Sequence, residues 1–217
     1  MSITLTLSQP AAGGSARALR TGLTVLGTIS FPITMLVAAI GGALTPGYNP
    51  ISDTVSAITL GPLGWLQTAN FYFFGLSVIA FGLALAMALP GTAARAAAAL
   101  LGLSGLSLIA AGAFPAIVVD GEPTPSALLH GLAFFGTFLP LPGAYAFMAL
   151  RVAGEPGWRG HALYSAALAS SVFFLFAVVG VLADPGAPLA FIAGLLQRVL
   201  LIVAFSWLML TGRRLLR

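Results

Sequence analysis

"LRTGLTVLGTISFPITMLVAAIGGAL", residues 19–44, decides the fold class. A bilayer core about 30 Å thick is crossed by roughly 20 apolar helical residues, and this run exceeds that with a single charge, Arg20, at its leading end. It is too long for the apolar core of a signal peptide. The preceding "MSITLTLSQPAAGGSARALR" has no apolar stretch directly after a basic start, so a cleaved leader is not expected. The run reads as a first membrane span.

Five further stretches have the same character, at about 67–89, 94–117, 126–150, 161–183 and 189–212. Pro90-Gly91, Pro123-Thr124-Pro125, Glu155-Pro156-Gly157 and Asp184-Pro185-Gly186 punctuate the short connections between them. The 217 residues are 59% hydrophobic and 6% charged, against about a quarter charged in soluble domains. So few charges cannot cover a soluble surface, so most of the exterior must face lipid. The expectation is an all-α, polytopic membrane protein: one domain, 1–217, built as a six-helix bundle.

Charge placement orients the bundle. Arg17, Arg20, Arg95, Arg151, Arg159, Arg213, Arg214 and Arg217 fall on one side of it. Asp53, Asp120, Glu122 and Asp184 fall on the other, and only Glu155 breaks the sorting. The positive-inside rule then puts both termini in the cytoplasm. An odd number of spans would scramble that separation.

Composition also excludes chemistry. The net charge of +4 is carried by Arg alone, and without Lys there is no Schiff-base amine. Without Cys there is no disulfide, thiolate metal site or Cys nucleophile. The arginines are scattered singly at segment ends, a membrane pattern rather than a nucleic-acid surface. No cofactor is expected, and no metal, since the two histidines, His130 and His161, sit near opposite faces.

Small residues recur within the spans, among them Ser104 and Gly105 in the third and Ser165 and Ala169 in the fifth. They suit close helix packing, either within the chain or at a homo-oligomer face. Pro32, Pro115, Pro140 and Pro142 should kink or break their helices.

Polar residues gather towards the outer side. "PGYNPISDTVSAITLGPLGWLQ", residues 46–67, reads as a short interfacial helix with Asn49 as N-cap, Pro50 at its first position and Asp53 in its first turns. Ile51, Val55 and Ile58 would form its apolar stripe and Ser52, Ser56 and Thr59 a polar one. Trp65 suits the headgroup level. Beneath this loop lie His130, about a turn into the fourth span, and Gln197-Arg198, about two turns into the sixth. By the 1.5 Å rise, Arg198 is roughly 13 Å inside its segment, which is costly unless it snorkels, pairs or faces a wet cavity.

Each of these residues has two readings. Asp53 and the hydroxyls either cap a helix or help build a site. Arg198 either pairs with Asp53, Asp120 or Asp184, or meets an anionic ligand group. His130 either satisfies the bundle interior or acts as a base on Ser52 or Ser56, with Asp53 behind it. The candidate ligand-binding set is Ser52, Asp53, Ser56, His130, Gln197 and Arg198. The three outer Asp residues recur at similar spacing, each followed by a polar residue (Gln67, His130, Arg198) in the next span. Six evenly sized spans would give that spacing without any repeat.

At "PGYNPISDTVSAITLGP", "ALLHGLAFFGTF" and "GLLQRVLLIVAFSW" the chain resembles the bacterial membrane family called domain of unknown function 998, over about residues 20 to 212. The shared motifs are Ser52-Asp53, His130 and Gly194 to Arg198, and the resemblance brings no activity with it. "PISDT" and the early His of the fourth span are more distantly similar to the Frag1/DRAM group, some members of which are tied to lipid remodelling or autophagy.

The functional expectation is a protein that binds or senses a membrane lipid or amphiphile in an outward-facing pocket. Alternatives are an intramembrane hydrolase or acyl transferase, or a subunit partnering another membrane protein. A transporter ranks last, because nothing ionisable marks the cytoplasmic half of the core.

Overall fold

The computed structural model describes residues 12–182 and 187–217. The N-terminal stretch before Ala12 and the loop carboxylate Asp184, both used in the sequence reading, lie outside the described residues. Seven α-helices are described: α1 (Ala12–Ala43), α2 (Gly64–Ala88), α3 (Thr92–Ala113), α4 (Pro125–Phe138), α5 (Pro140–Val152), α6 (Arg159–Leu182) and α7 (Ala193–Leu215). Short 3-10 turns cover Val55–Leu60 and Ala190–Ile192, and a two-stranded ribbon pairs β1 (Val118–Val119) with β2 (Glu122–Pro123). Six segments are long and apolar enough to cross a membrane, because α4 and α5 together make one, Pro125–Val152.

Prolines set the boundaries that hydropathy blurs. The third span stops at Ala113, four residues short of the sequence expectation. Pro115 disfavours the helical conformation at Phe114, which leaves the helix extended (φ −117°, ψ 91°). Pro140 and Pro142 divide the fourth span, since neither can donate to the preceding turn. Pro32 is carried inside α1 without ending it.

The helices close on an aromatic centre. Trp207, Tyr145, Phe74, Phe81 and Phe205 are completely or almost completely buried. The polar tips of the buried Tyr145 and Trp207 find partners. Tyr145 Oη donates to the Ala204 carbonyl at 2.7 Å and Trp207 Nε1 to Ser165 Oγ at 2.9 Å. Of the small residues flagged in the sequence, Gly105 has a steric reason. A Cβ there would stand 2.5 Å from the Gly75 carbonyl oxygen, and the reverse holds for Gly75, so α2 and α3 touch backbone to backbone. Leu36, Leu76, Phe174 and Val181, by contrast, are largely exposed on the outside of the bundle.

The arginine-rich end is tied by loop contacts. Arg151 donates to the Pro90 carbonyl and pairs with Glu155, both at 2.7 Å. Arg214 donates to the Gly157 carbonyl and lies over the Trp158 ring. His161 is buried there, its Nε2 3.1 Å from Thr211 Oγ1. The candidate residues occupy the opposite end.

Candidate functional site

The loop after α1 folds differently from the expected helix. Its helical part starts at Val55 and is 3-10, and residues 50–53 turn instead. Asn49 does not cap a helix; its Oδ1 accepts from the Ile51 amide at 3.0 Å. The Asp53 carboxylate accepts from the Asn49 amide at 2.8 Å and from Ser52 Oγ at 3.0 Å. The cause is tertiary. A helix beginning at Pro50 would need its first carbonyls as internal acceptors, and α7 has taken them. The amides of Gly194 and Leu195, unpaired at the start of α7, donate to the Ser52 and Ile51 carbonyls at 3.2 and 2.9 Å. Arg198 Nη1 donates to the Pro50 and Asp53 carbonyls at 2.7 and 2.9 Å, and to its own helix at Gly194 at 2.9 Å.

Gly194 is required for this docking. A Cβ there would collide with the Asp53 carbonyl group and stand 2.8 Å from the Pro50 oxygen. Gln197 completes the seat, its Oε1 accepting from the buried Val55 amide at 2.7 Å. The Gly194–Arg198 run is therefore a cradle for the first outer loop. Tyr48, which sequence reasoning missed, closes it: its Oη accepts from Arg198 Nη2 and donates to the Thr54 carbonyl at 3.0 Å. Burial pushes the Tyr48 phenol above its ordinary value, against the opposing influence of Arg198. The expected helical stripes are lost as well. Val55, Ile58 and Ser56 are buried, whereas Ile51 is half exposed.

His130 has a structural partner that its sequence position could not reveal. Its Nδ1 lies 3.0 Å from the Ala111 carbonyl and 2.8 Å from that of Phe114. Residue 115 is Pro and has no amide proton for Ala111, so the imidazole N–H supplies the missing donor. That fixes Nε2 as the acceptor nitrogen of the neutral ring. No Ser–His–Asp relay is assembled, because Nδ1 faces carbonyls and the Asp53 carboxylate faces Asn49 and Ser52. Ser56 Oγ is 3.0 Å from Thr54 Oγ1. Asp120 serves the ribbon's turn, adopting positive φ (54°) with Gly121 (83°), as a two-residue hairpin loop requires. Asp53 and Asp120 thus do unlike work, so no repeat relates them.

Two spaces divide four of the candidate residues, while Asp53 lines a separate, open hollow on the loop and Ser52 lines none of the three. Ser56, His130 and Gln197 line a cavity of about 50 Å³ between the loop and α1, α2, α3, α4 and α7, with Thr34, Gln67 and Phe71 among its other walls. Arg198 lies outside it, in a groove of about 240 Å³ shared with Tyr48, Pro50, Ala39 and Gly42. Met35 lines both. Arg198 and His130 therefore line different but adjoining spaces. Among the described residues no three His or carboxylate side chains gather as a metal site would require.

Compared with known families, the chain matches the one described as "Protein of unknown function (DUF998)" over residues 6–214. No curated protein and no solved structure matches significantly, so the more distant Frag1/DRAM likeness is not shown. A match over nearly the whole length, spanning the loop, the early histidine and the α7 cradle, means that the chain belongs to the DUF998 family.

Proposed function

We propose that this protein is a multi-pass protein of a bacterial cytoplasmic membrane that binds an anionic lipid or other anionic amphiphile in the groove beside Arg198. Both termini would be cytoplasmic and the groove would open in the outer leaflet. That orientation rests on the segregation of arginines and carboxylates to opposite ends.

The observation that carries the binding proposal is that Arg198 pairs with no carboxylate among the described residues. Every acceptor it meets among the described residues is neutral: three backbone carbonyls and the Tyr48 phenol. The ion pair found among those residues is Arg151–Glu155, at the other end of the bundle. A guanidinium held near hydrocarbon without a directly paired carboxylate favours an anion, and phosphate or carboxylate suits its planar donor set. Small side chains at Ala38, Ala39, Gly42 and Ala43 leave room for an acyl chain along α1. The loop cradle holds the guanidinium in place for that contact.

Arg198 also anchors the loop, so the test leaves it intact. Ala39→Trp and Ala43→Trp fill the groove from exposed positions. Native mass spectrometry of protein taken from bilayers containing phosphatidylglycerol and phosphatidylcholine is expected to show retained phosphatidylglycerol in the parent chain, reduced at least fivefold in both variants. Equal retention in parent and variants, or a parent chain retaining both lipids alike, would overturn the proposal.

A further inference from the structure

We infer that the cavity beneath the first outer loop is a second ligand site, independent of the Arg198 groove, and that it takes the uncharged, hydroxyl- and carbonyl-bearing head of a neutral amphiphile. Its lining contains no carboxylate and no guanidinium, so an ion entering it would find no counter-charge. Its polar groups come from five separate elements, namely Thr34, Ser56, Gln67, Gln197 and the α4 pair His130 and Thr137, and converge among aromatic walls such as Phe71 and Phe134. A few convergent polar groups in an apolar cavity are the usual composition of a small-molecule site.

The unused hydrogen-bonding capacity specifies the ligand. Thr34 is nine-tenths buried, and its hydroxyl has no partner. Thr24, Thr28, Ser77 and Thr137, also within the spans, donate to their own helix one turn back. Thr34 makes no such bond where its helix, with Met35, lines the cavity. Gln67 and Gln197 have committed their carbonyl oxygens, to Asn70 Nδ2 at 3.3 Å and to the Val55 amide at 2.7 Å. Their amide nitrogens are left as donors. His130, with Nδ1–H spent on two carbonyls, offers Nε2 as an acceptor. Two amide donors, a hydroxyl and one acceptor match a carbonyl and a hydroxyl on the same head. The lining offers no cationic side chain to a phosphate-bearing head, whereas an uncharged head needs only these neutral groups. Phe71, His130 and Phe134 are only half-buried, and the tail would leave past them.

The test uses the full chain in phosphatidylcholine nanodiscs with a diazirine-bearing monoacylglycerol as probe, and the labelled peptides are read by mass spectrometry. Labelling is expected on α1, α2 and α4 peptides that line the cavity, displaced by unlabelled monoolein and not by phosphatidylglycerol. Thr34→Val should reduce it at least fivefold while the probe-free protein melts no lower than the parent chain. Ala111→Leu, which fills the cavity, should reduce it as much, and Ala39→Trp should leave it unchanged. That last variant separates failure here from failure of the Arg198 groove. Labelling confined to lipid-facing positions would overturn the inference. So would labelling equal in the parent chain, Thr34→Val and Ala111→Leu, or labelling matched by a diazirine fatty acid.

Discussion

Replacing Arg198 by Met keeps the length and apolar stem of the side chain and removes the guanidinium. Three contacts between separate segments disappear with it: Nη1 to the Pro50 and Asp53 carbonyls, and Nη2 to Tyr48. A hydrogen bond of this kind contributes about 1 kcal/mol net, and more when one partner is charged and buried. Arg198 is only half-buried, so water can reach some of the orphaned acceptors and the lower figure applies. The expected loss is about 3 kcal/mol, or a melting temperature lower by about 6–12 °C for a chain of this size. The fluorescence of buried Trp207 reports the melt, and hydrogen exchange of the amides at residues 51–57 reports the loop. Arg198→Lys should lose about half as much, roughly 1–2 kcal/mol, because an ammonium keeps the charge but cannot span Tyr48 and both carbonyls in one plane. A melting temperature unchanged within about 2 °C in Arg198→Met, with unchanged exchange across the loop, would refute the cradle.

Gly194→Ala should cost about 2–3 kcal/mol, since its methyl meets backbone oxygens of the loop that cannot rotate away. Gly131→Ala on α4, where a Cβ meets nothing, serves as the control and should be neutral or stabilising in the same thermal melt. The Tyr48 phenol predicts a pH dependence. Its folded pKa is raised above the ordinary value, so its contribution is full below about pH 10 and is lost as the pH rises through the raised folded value. Melts of the parent chain and Tyr48→Phe across that range should converge as the pH climbs, and parallel curves would contradict the assignment.

The spans were legible because lipid allows few solutions. Backbone polar groups must be satisfied within each crossing segment, so long apolar runs are helices whatever their neighbours do. Their ends were legible only in part. Pro115 was visible as a breaker, yet which side chain would rescue the carbonyl it orphans depended on α4 bringing His130 alongside. The interfacial helix was misread for a related reason. Asn49-Pro50 is a sound start signal locally, but contacts from residues more than 140 positions away took its carbonyls. Arg198 stood out as costly; its partners were sought among carboxylates, and among the described residues they are carbonyls and a phenol.

By itself, then, the amino-acid order determined which segments could cross a bilayer, which end carries the arginines, and which few polar side chains demand an explanation. Those are consequences of transfer free energies, which belong to residues and short runs. Tertiary structure alone decided that the Gly194–Arg198 run seats the first loop, that His130 caps a proline-broken helix, and that Arg198 and His130 face different spaces. Hydrogen bonds are short and directional, so their partners are set by how helices distant in sequence come to lie against one another.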